Sequence, residues 1–436
     1  MSSSAPPGVT VTEVPSGTRL IAGATTSVAA FVAARTPGVA RYLQSWSDFT
    51  TYYPEAGVVK MARKDTYVSA AVAEAVYGFF LNGGSQCWIV PDGTKTSAEK
   101  SSSPPAAPAE SPAEQPVSDG GSGETEGSTE SSEAKEPTKP AKTTKPTGTK
   151  GTEDKSPPVD PAAAAVAQLE KLSDVSIVVT PDLTGGEPNQ PYAAHCAAMG
   201  NRVLIVTLDQ KATASKPVDL GSGRDYVAIY HPWIVGPGRS QASTPFPIAP
   251  GGHMAGIWAR VDAQRGVFKA PANEPVNGAI ALAQIVSDTT QVAFQSQGVN
   301  CLRVFPGTGP LVWGARTAAD PSDSDNVYLN VRRLLCFLEE SIRRATTWAV
   351  FEPNDDRLWA SLRGTVGTFL TEQWRQGALM GQTPTQAFAI TCDSTNNTPA
   401  VINAGQVVCD IAVAPVRPAE YVTFTVTQQA GGTATA

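Results

Sequence analysis

The residues that could carry out chemistry are few and widely spaced in this sequence. Its three histidines, His195, His231 and His253, do not have a second ligand side chain at zinc-site spacing. No G-x-S-x-G segment marks the nucleophile of an α/β-hydrolase, although folding alone can assemble a Ser-His-Asp triad. We therefore predict no catalytic residue, no metal site and no cofactor.

The six cysteines also lack a CxxC pattern, and most of them stand among apolar residues. They are Cys87, Cys196, Cys301, Cys336, Cys392 and Cys409. Because a buried free cysteine packs like a small hydrophobic side chain, we expect reduced thiols in the core.

Two other segments could suggest a ligand site. The glycines of residues 306–314 (PGTGPLVWG) lack the GK[ST] of a phosphate loop and are flanked by prolines, so they predict a turn. Asp355 and Asp356 could form an acid and base pair, but a predicted helix begins near Leu358. Acidic residues favour the N-terminal end of a helix, and we expect this pair to cap it.

Composition limits the class of protein. The chain has 436 residues, of which 41% are hydrophobic and 17% charged, which allows one or two globular domains. A formal net charge of -7 argues against a nucleic-acid partner. Residues 1–18 lack the features of an export signal, and the longest apolar stretch, residues 66–81, is amphipathic. We expect folding in the cytoplasm and no membrane insertion.

The first half of the chain alternates apolar strands with helices. This rhythm is typical of an α/β domain with a largely parallel sheet. The predicted strands are residues 27–32, 86–90, 175–180, 202–208 and 226–230, and the predicted helices are residues 66–81, 161–172 and 191–199.

Residues 93–158 interrupt this pattern. They are rich in Ser, Pro, Thr, Glu and Lys and contain no aromatic residue, Leu or Ile. Such a segment cannot bury enough apolar surface to offset the entropy of ordering its backbone, so we predict a disordered insertion.

The second half predicts a mixed α+β unit. Its predicted helices are residues 275–286, 327–345 and 358–372, and its predicted strands are residues 386–392, 407–414 and 421–427. The expected organisation is an α/β domain (21–92 with 159–260), the insertion (93–158), a C-terminal domain (261–418) and two terminal arms (1–20 and 419–436).

An ordered set of segments resembles the contractile tail sheath family of phages, pyocins and related injection systems. The segments are PGVTVTEVPSGTRLIAGATTSVAAFV (7–32), AVYGFFLNGGSQCWIV (75–90), RGVFKAPANEPVNG (265–278), GVNCLRVFPGTGPLVWGARTAAD (298–320), YLNVRRLLCFLEESIRRATTWAVFEPNDDRLWASLR (328–363) and PAEYVTFTV (418–426). Together they cover both ends and most of the chain outside the insertion, which stands where longer sheath proteins carry extra folded domains.

The resemblance implies a structural subunit rather than an enzyme. It implies a helical homopolymer of stacked hexameric rings around an inner tube, which contracts from a metastable extended state to drive the tube through a target envelope. Baseplate and cap proteins are the other implied partners, in a tail-like particle assembled in the producing cell. Two alternatives stay open: a baseplate or cap component of the same machine, or an unrecognised α/β enzyme.

The terminal arms have alternating strand sequences. The alternating residues are Val9, Val11, Val14, Val422, Phe424 and Val426. An exposed strand is a template for another chain, and the family implies that these strands complete a sheet in neighbouring subunits. The alternative is that both arms pair within their own domain.

The helix predicted for residues 327–345 is the candidate for contact with the tube. An apolar stripe that includes Leu334 and Leu338 would leave its charged residues facing outward. Those residues are Arg332, Arg333, Glu339, Glu340, Arg343 and Arg344. Pairs between Glu339 and Arg343 and between Glu340 and Arg344 would stabilise the helix itself, an equally good explanation of the pattern.

Overall fold

The chain folds into alternating helices and strands, and the computed structural model describes residues 20–54, 68–93, 160–239, 244–421 and 423. The helices are α1 (Trp46–Tyr52), α2 (Ala70–Leu81), α3 (Pro161–Leu169), α4 (Gln190–Met199), α5 (Gly251–Arg265), α6 (Asp288–Gln295), α7 (Leu329–Ala345), α8 (Asp356–Arg375), α9 (Pro384–Ala387) and α10 (Pro399–Asn403). The strands are β1 (Ala29–Ala33), β2 (Arg41–Leu43), β3 (Cys87–Pro91), β4 (Ile177–Thr184), β5 (Val203–Thr207), β6 (Val227–His231), β7 (Ile234–Gly236), β8 (Phe246–Ile248), β9 (Glu274–Pro275), β10 (Ala281–Leu282), β11 (Val299–Val304), β12 (Pro310–Trp313), β13 (Phe388–Thr391) and β14 (Asp410–Val413).

A single sheet organises most of the described residues, with the strand order β2-β3-β1-β4-β5-β6-β11-β12-β9. Six neighbouring strands of this sheet run parallel, in the order β3, β1, β4, β5, β6 and β11. Every residue of β1, β5 and β6 is buried, as expected for strands covered on both faces. The α/β prediction for the first half is therefore confirmed, with strand and helix limits shifted by a few residues.

Helices cover both faces of this sheet. On one face, Val72 of α2 and Met254 of α5 share an apolar cluster with the sheet. On the other, the apolar cluster includes Leu169 of α3, Tyr192 of α4 and Phe294 of α6. The result is a three-layer arrangement, since the apolar strands have helices to bury them from either side.

Close packing of α2 against α5 depends on glycine. A Cβ added at Gly252 would lie 2.1 Å from the backbone oxygen of Ala75, and one at Gly256 would lie 2.4 Å from that of Phe79. Backbone atoms cannot move aside as a flexible side chain can. The two positions therefore allow the backbones of the helices to approach where no other residue would fit.

His253 lies between these glycines and is buried against Gly78 of α2. Burial lowers its pKa to about 4. The imidazole is therefore neutral in the folded protein at pH values where an exposed histidine begins to take up a proton.

The C-terminal part packs helices and a hairpin around a third apolar cluster, which we call the C-terminal cluster. Leu338 of α7 and Phe369 of α8 meet there, and the antiparallel hairpin of β13 and β14 packs against them. Asp355 is the N-cap residue of helix α8, and its side chain accepts hydrogen bonds from the backbone N–H groups of Arg357 and Leu358. The predicted capping role of Asp355 is confirmed.

The helix predicted for residues 275–286 is wrong. The segment instead forms the short strands β9 and β10 with a turn between them, in which Gly278 has a φ of 86°. The side chain of Asn82 accepts a hydrogen bond from the backbone of Asn277 and holds this turn against α2. Tertiary pairing here outweighs the apolar spacing that suggested a helix.

The boundary predicted at residue 260 is also wrong, because the sheet crosses it. Strands β9, β11 and β12 belong to the same sheet as β1 to β6. Strands β11 and β12 form an antiparallel hairpin around Gly307, so the turn predicted in PGTGPLVWG is confirmed.

Several predictions fall outside the described residues. The insertion beyond Gly93 and the arm residues Val9, Val11, Val14, Val422, Phe424 and Val426 are among them. Among the helices of the described ranges, none is both long enough and apolar enough to cross a membrane.

Replacing Gly252 by alanine should destabilise the fold. The new Cβ would meet the backbone of α2, and overpacking of this kind lowers the free energy of unfolding by about 2 kcal/mol or more. The matched control is Gly364→Ala on α8, where no atom lies within 4 Å of an added Cβ. Urea unfolding should show the loss only for Gly252→Ala; equal stability of the two variants would contradict the close-packing account.

Stability should fall as the pH drops from about 6.5 to about 4, partly because of His253. The pKa of His253 is lower in the folded protein than in the unfolded chain, so the unfolded chain takes up the proton first as the pH falls. The contribution of about 3 kcal/mol to the free energy of unfolding, which is present above pH 6.5, is therefore lost on acidification. The His253→Gln variant should show a smaller decline in unfolding free energy over this range. Parallel pH profiles for the two proteins would exclude His253 as a cause.

Candidate functional site

Helix α7 is buried on two sides. Leu329 and Cys336 pack with the cluster beneath the sheet, whereas Leu334 and Leu338 pack with the C-terminal cluster. The apolar stripe predicted from the sequence accounts for only the second side. Helix α7 therefore joins the sheet to the C-terminal helices.

Arg333 forms a buried ion pair from the middle of α7. Its guanidinium donates to both carboxylate oxygens of Asp262 on α5, at 2.9 and 2.6 Å, and lies 4.6 Å above the ring of Trp258. The two side chains are 3% and 4% exposed, so this pair is screened little by solvent. Burial raises the pKa of Asp262, and Arg333 opposes that rise.

Arg332 is buried on the neighbouring side of the helix. It donates a hydrogen bond of 2.7 Å to Asp225, lies 4.4 Å from the centre of the Tyr226 ring and also contacts the side-chain oxygen of Asn326. These partners come from the segment before β6 and from the loop that precedes α7.

The outward orientation predicted for Arg332, Arg333 and Glu340 is wrong. All three residues are buried, because acidic or arginine partners neutralise each charge within the subunit. The predicted residues that remain exposed on α7 are Glu339, Arg343 and Arg344. Contact of this helix with a tube stays a prediction, now restricted to those three.

Glu340 forms ion pairs with both arginines at the C-terminal end of α7. Arg343 donates to its two oxygens at 2.8 and 2.7 Å, and Arg344 also bonds to it. Burial alone would raise the pKa of Glu340, but these hydrogen bonds hold it below its usual value. The predicted pairing with Arg344 is confirmed, whereas Arg343 binds Glu340 rather than Glu339.

The N-terminal segment of the described chain lies along α7. The backbone N–H of Ala24 donates to Ser341 Oγ at 2.9 Å, and the carbonyl of Thr26 accepts from Arg333 at 2.9 Å. Gly23 packs against the ring of Phe337, where an added Cβ would be 3.0 Å away. The segment is thus attached through its backbone before it enters β1.

The C-terminal segment is attached to the same helix near its other end. The side-chain amide of Asn330 donates to the carbonyls of Val416, at 3.0 Å, and Phe268, at 2.8 Å. Further along, Arg316 forms a two-pronged ion pair with Glu420. This ion pair lines a groove of about 920 Å³.

We call Asn330, Arg333, Ser341 and Arg316 the arm-root site, because they hold the two ends of the described chain. The first three are on one helix and bind backbone atoms of both segments. Sequence reasoning identified α7 but missed Asn330, Ser341 and Arg316. The available signal was that Asn330 and Ser341 are polar residues within a largely apolar helix. Their partners are distant in the sequence, so the sequence alone does not identify them.

The residues considered for catalysis are dispersed. His195 lies 3.4 Å from Arg202, His231 binds Gln284 at 3.1 Å, and His253 lies in α5. Burial, with Arg202 nearby, lowers the pKa of His195 to about 4. Within the described ranges, no three His, Cys, Asp or Glu side chains gather as metal ligands.

The cysteines are free thiols, as predicted, and all except the half-buried Cys409 are buried. Burial raises the pKa of Cys196, Cys301 and Cys336 to about 12. Such thiols remain protonated at neutral pH, and they pack as apolar groups.

Family models match the chain over two adjacent regions. The phage tail sheath protein central domain matches residues 184–318, and the phage tail sheath C-terminal domain matches residues 322–429, which together exceed half of the chain. The junction between the two models follows the last strand of the sheet rather than residue 260.

Individual tail sheath proteins are similar over part of their length. That of Enterobacteria phage T4 is 27% identical over 183 residues, or 41% of this chain and 27% of the phage protein. That of Vibrio phage KVP40 is 27% identical over 176 residues, or 40% and 25%. The aligned region thus spans about a quarter of these relatives.

Solved structures share the fold over nearly the whole chain. The anti-feeding prophage helical sheath in its contracted state has a TM-score of 0.67 at 24% identity and covers 98% of this chain and 100% of that one. The sheath complex of the PVC extracellular contractile injection system, also contracted, has a TM-score of 0.65 at 22% identity, covering 98% and 99%.

The two matched domains are those of tail sheath proteins, and the fold is that of solved sheath structures. The chain belongs to the contractile tail sheath family.

Replacing Arg333 by alanine should strongly destabilise the subunit. Asp262 would remain buried without its partner, which costs about 3–5 kcal/mol. Arg343→Ala is the control, since the Arg343 side chain is 62% exposed and its loss should cost about 1 kcal/mol or less. Thermal unfolding should separate the two variants widely; a stable Arg333→Ala subunit would show that α7 does not depend on the ion pair.

Proposed function

We propose that this chain is the repeating subunit of a contractile sheath. It polymerises helically around an inner tube and contracts from a metastable extended state to drive the tube through a target envelope. The observation that carries the proposal is the arm-root site: the first and last segments of the described chain are both bonded to α7, in a member of the tail sheath family.

The arms act as connectors between subunits in this proposal. The strand residues Val9, Val11, Val14, Val422, Phe424 and Val426 pair with sheets of neighbouring subunits. The described segments next to the arms are bonded to α7 through their backbone atoms. Tension in either arm is therefore transmitted to α7, and from Arg333 to Asp262 of α5 beneath the sheet. A flexible root would absorb that tension instead.

Contraction then needs no nucleotide. Each subunit moves as a rigid body between two lattices, and the linkers keep it tethered while interfaces repack. A small free-energy difference per subunit in favour of the contracted lattice becomes large when it is summed over a cooperative assembly. The driving free energy is stored in the extended lattice rather than in an active site.

The partners in this proposal are further copies of the chain in stacked hexameric rings, an inner tube, and baseplate and cap proteins. The similarity to a chain in the anti-feeding prophage baseplate structure, with a TM-score of 0.67, supports the baseplate contact. Glu339, Arg343 and Arg344 are the exposed α7 residues that would face the tube. Assembly takes place in the cytoplasm of the producing cell.

The test is negative-stain electron microscopy of the full chain, expressed alone, over a range of salt concentrations. We expect hollow, striated cylinders of uniform width. A variant ending at Tyr421 retains the Arg316–Glu420 ion pair but lacks the C-terminal strand, so it should fold and stay unassembled. A variant lacking only Gly431–Ala436 is the control and should still form cylinders.

Each result has a separate meaning. A full chain that remains monomeric at high concentration would contradict the sheath function. Cylinders formed equally well by the variant ending at Tyr421 would keep the function but contradict a connecting role for the C-terminal strand.

A further inference from the structure

The hairpin of β13 and β14 has one apolar face and one exposed face. Phe388 lies opposite Val413 and Ile390 opposite Ile411, and all four pack with the C-terminal cluster. The intervening pairs, such as Ala389 with Ala412, face solvent. Side chains that alternate in this way identify the next inward pair without ambiguity.

That next pair is Cys392 and Cys409. The ladder pairs Thr391 with Asp410, so one further step places the two cysteines directly opposite each other on the inward face. The two side chains interact with each other and belong to the same apolar cluster. Cys392 is fully buried and Cys409 half-buried, beside Leu362 and Ile402.

The pattern of backbone hydrogen bonds shows which kind of pair this is. The backbone N–H of Ala414 donates to the carbonyl of Ala387 at 2.9 Å, so these two residues form a hydrogen-bonded pair. Hydrogen-bonded and non-hydrogen-bonded pairs alternate along an antiparallel ladder. Five steps later, Cys392 and Cys409 occupy a non-hydrogen-bonded position, where Cα atoms lie about 4.5 Å apart, within the range of disulfides.

Neighbouring contacts hold both cysteines in place. The side chain of Asn397 bonds to both the N–H and the carbonyl of Val408, at 2.7 and 2.9 Å. Arg363 on α8 donates a hydrogen bond to the carbonyl of Cys392. The backbone next to each thiol is therefore fixed, and little rearrangement would be needed to join the sulfurs.

We propose that Cys392 and Cys409 form a cross-strand disulfide when the protein meets a low-molecular-weight disulfide. The Cys409 thiol, which is the accessible one, loses its proton to solvent, and its thiolate attacks the small disulfide and releases one small thiolate. The Cys392 thiol then loses its proton, and its thiolate attacks Sγ of Cys409 and releases the second small thiolate; the two released thiolates take up the two protons. Two protein thiols are oxidised to one disulfide, and the small disulfide is reduced to two thiols.

The bond closes the base of the loop formed by residues 393–408, which contains α10. It also fixes the register of the hairpin, because a strand slip would separate the two sulfurs. Burial, with Cys392 nearby, raises the pKa of Cys409 to about 12. Exchange is therefore slow at neutral pH and accelerates as the pH rises, since the thiolate is the reacting form. The reduced hairpin is the form expected where the cell keeps thiols reduced.

The test treats the folded full chain with oxidised glutathione at about pH 8, and then alkylates the unfolded chain in denaturant before peptide mapping without reduction. We expect a linked peptide joining Cys392 to Cys409, with four of the six cysteines alkylated. Cys409→Ser and Cys392→Ser should each abolish the linked peptide, whereas the control Cys301→Ser should keep it. Six alkylated cysteines after prolonged oxidation, or glutathione retained on Cys409 alone, would overturn the proposal.

A second measurement separates a structural bond from an incidental one. The melting temperature of the wild-type protein should be higher after oxidation than after reduction, and Cys409→Ser should show no such difference. An identical melting temperature for linked and reduced wild-type protein would show that the bond does not constrain the hairpin and would overturn that part of the proposal.

Discussion

The buried ion pair between Arg333 and Asp262 connects the parts of this subunit. Asp262 belongs to α5 under the sheet and Arg333 belongs to α7. The same guanidinium also donates a hydrogen bond to the Thr26 carbonyl. The Thr26 hydroxyl in turn bonds to Asp262. One solvent-shielded cluster thus holds the sheet, the joining helix and the N-terminal segment in a fixed arrangement. A buried pair of this kind specifies geometry more than it adds stability, because desolvation offsets much of its attraction.

The arrangement suits the mechanical role that we propose for this subunit. In the proposed sheath, each subunit moves as one body while its arms remain attached to other subunits. Helix α7 meets both needs, since Asn330 and Ser341 bind the arm roots and its two apolar sides fix it to the sheet and to the C-terminal cluster. The contacts that Asn330, Arg333 and Ser341 of α7 make to these segments are hydrogen bonds to backbone atoms, so they depend little on the arm sequence.

The sequence was sufficient to predict the parallel sheet, because strands buried on both faces are continuous apolar runs such as VLIVT in β5. It was not sufficient for α5, whose GGHMAGIWARVDAQR sequence begins with two glycines: Gly251 faces side chains of the sheet, and Gly252 is explained by the approach of α2. The charged face of α7 was misread for a similar reason. In the sequence, Arg332 and Arg333 have the pattern of solvent-exposed residues. In the fold, Asp225 and Asp262 lie next to them and form ion pairs that allow them to be buried. Local patterns reveal elements, whereas burial of a charge depends on partners elsewhere in the chain.

The central claim is that α7 anchors arms that leave the subunit. A cryo-electron microscopy map of the assembled full chain tests it most directly, by tracing residues 421–427 onward from the Arg316–Glu420 ion pair. The account predicts that Val422, Phe424 and Val426 form a strand in the sheet of a neighbouring subunit while the arm-root contacts to α7 are retained. A map in which this strand folds back onto a sheet of its own subunit, or in which the Asn330 and Ser341 contacts are lost, would contradict it.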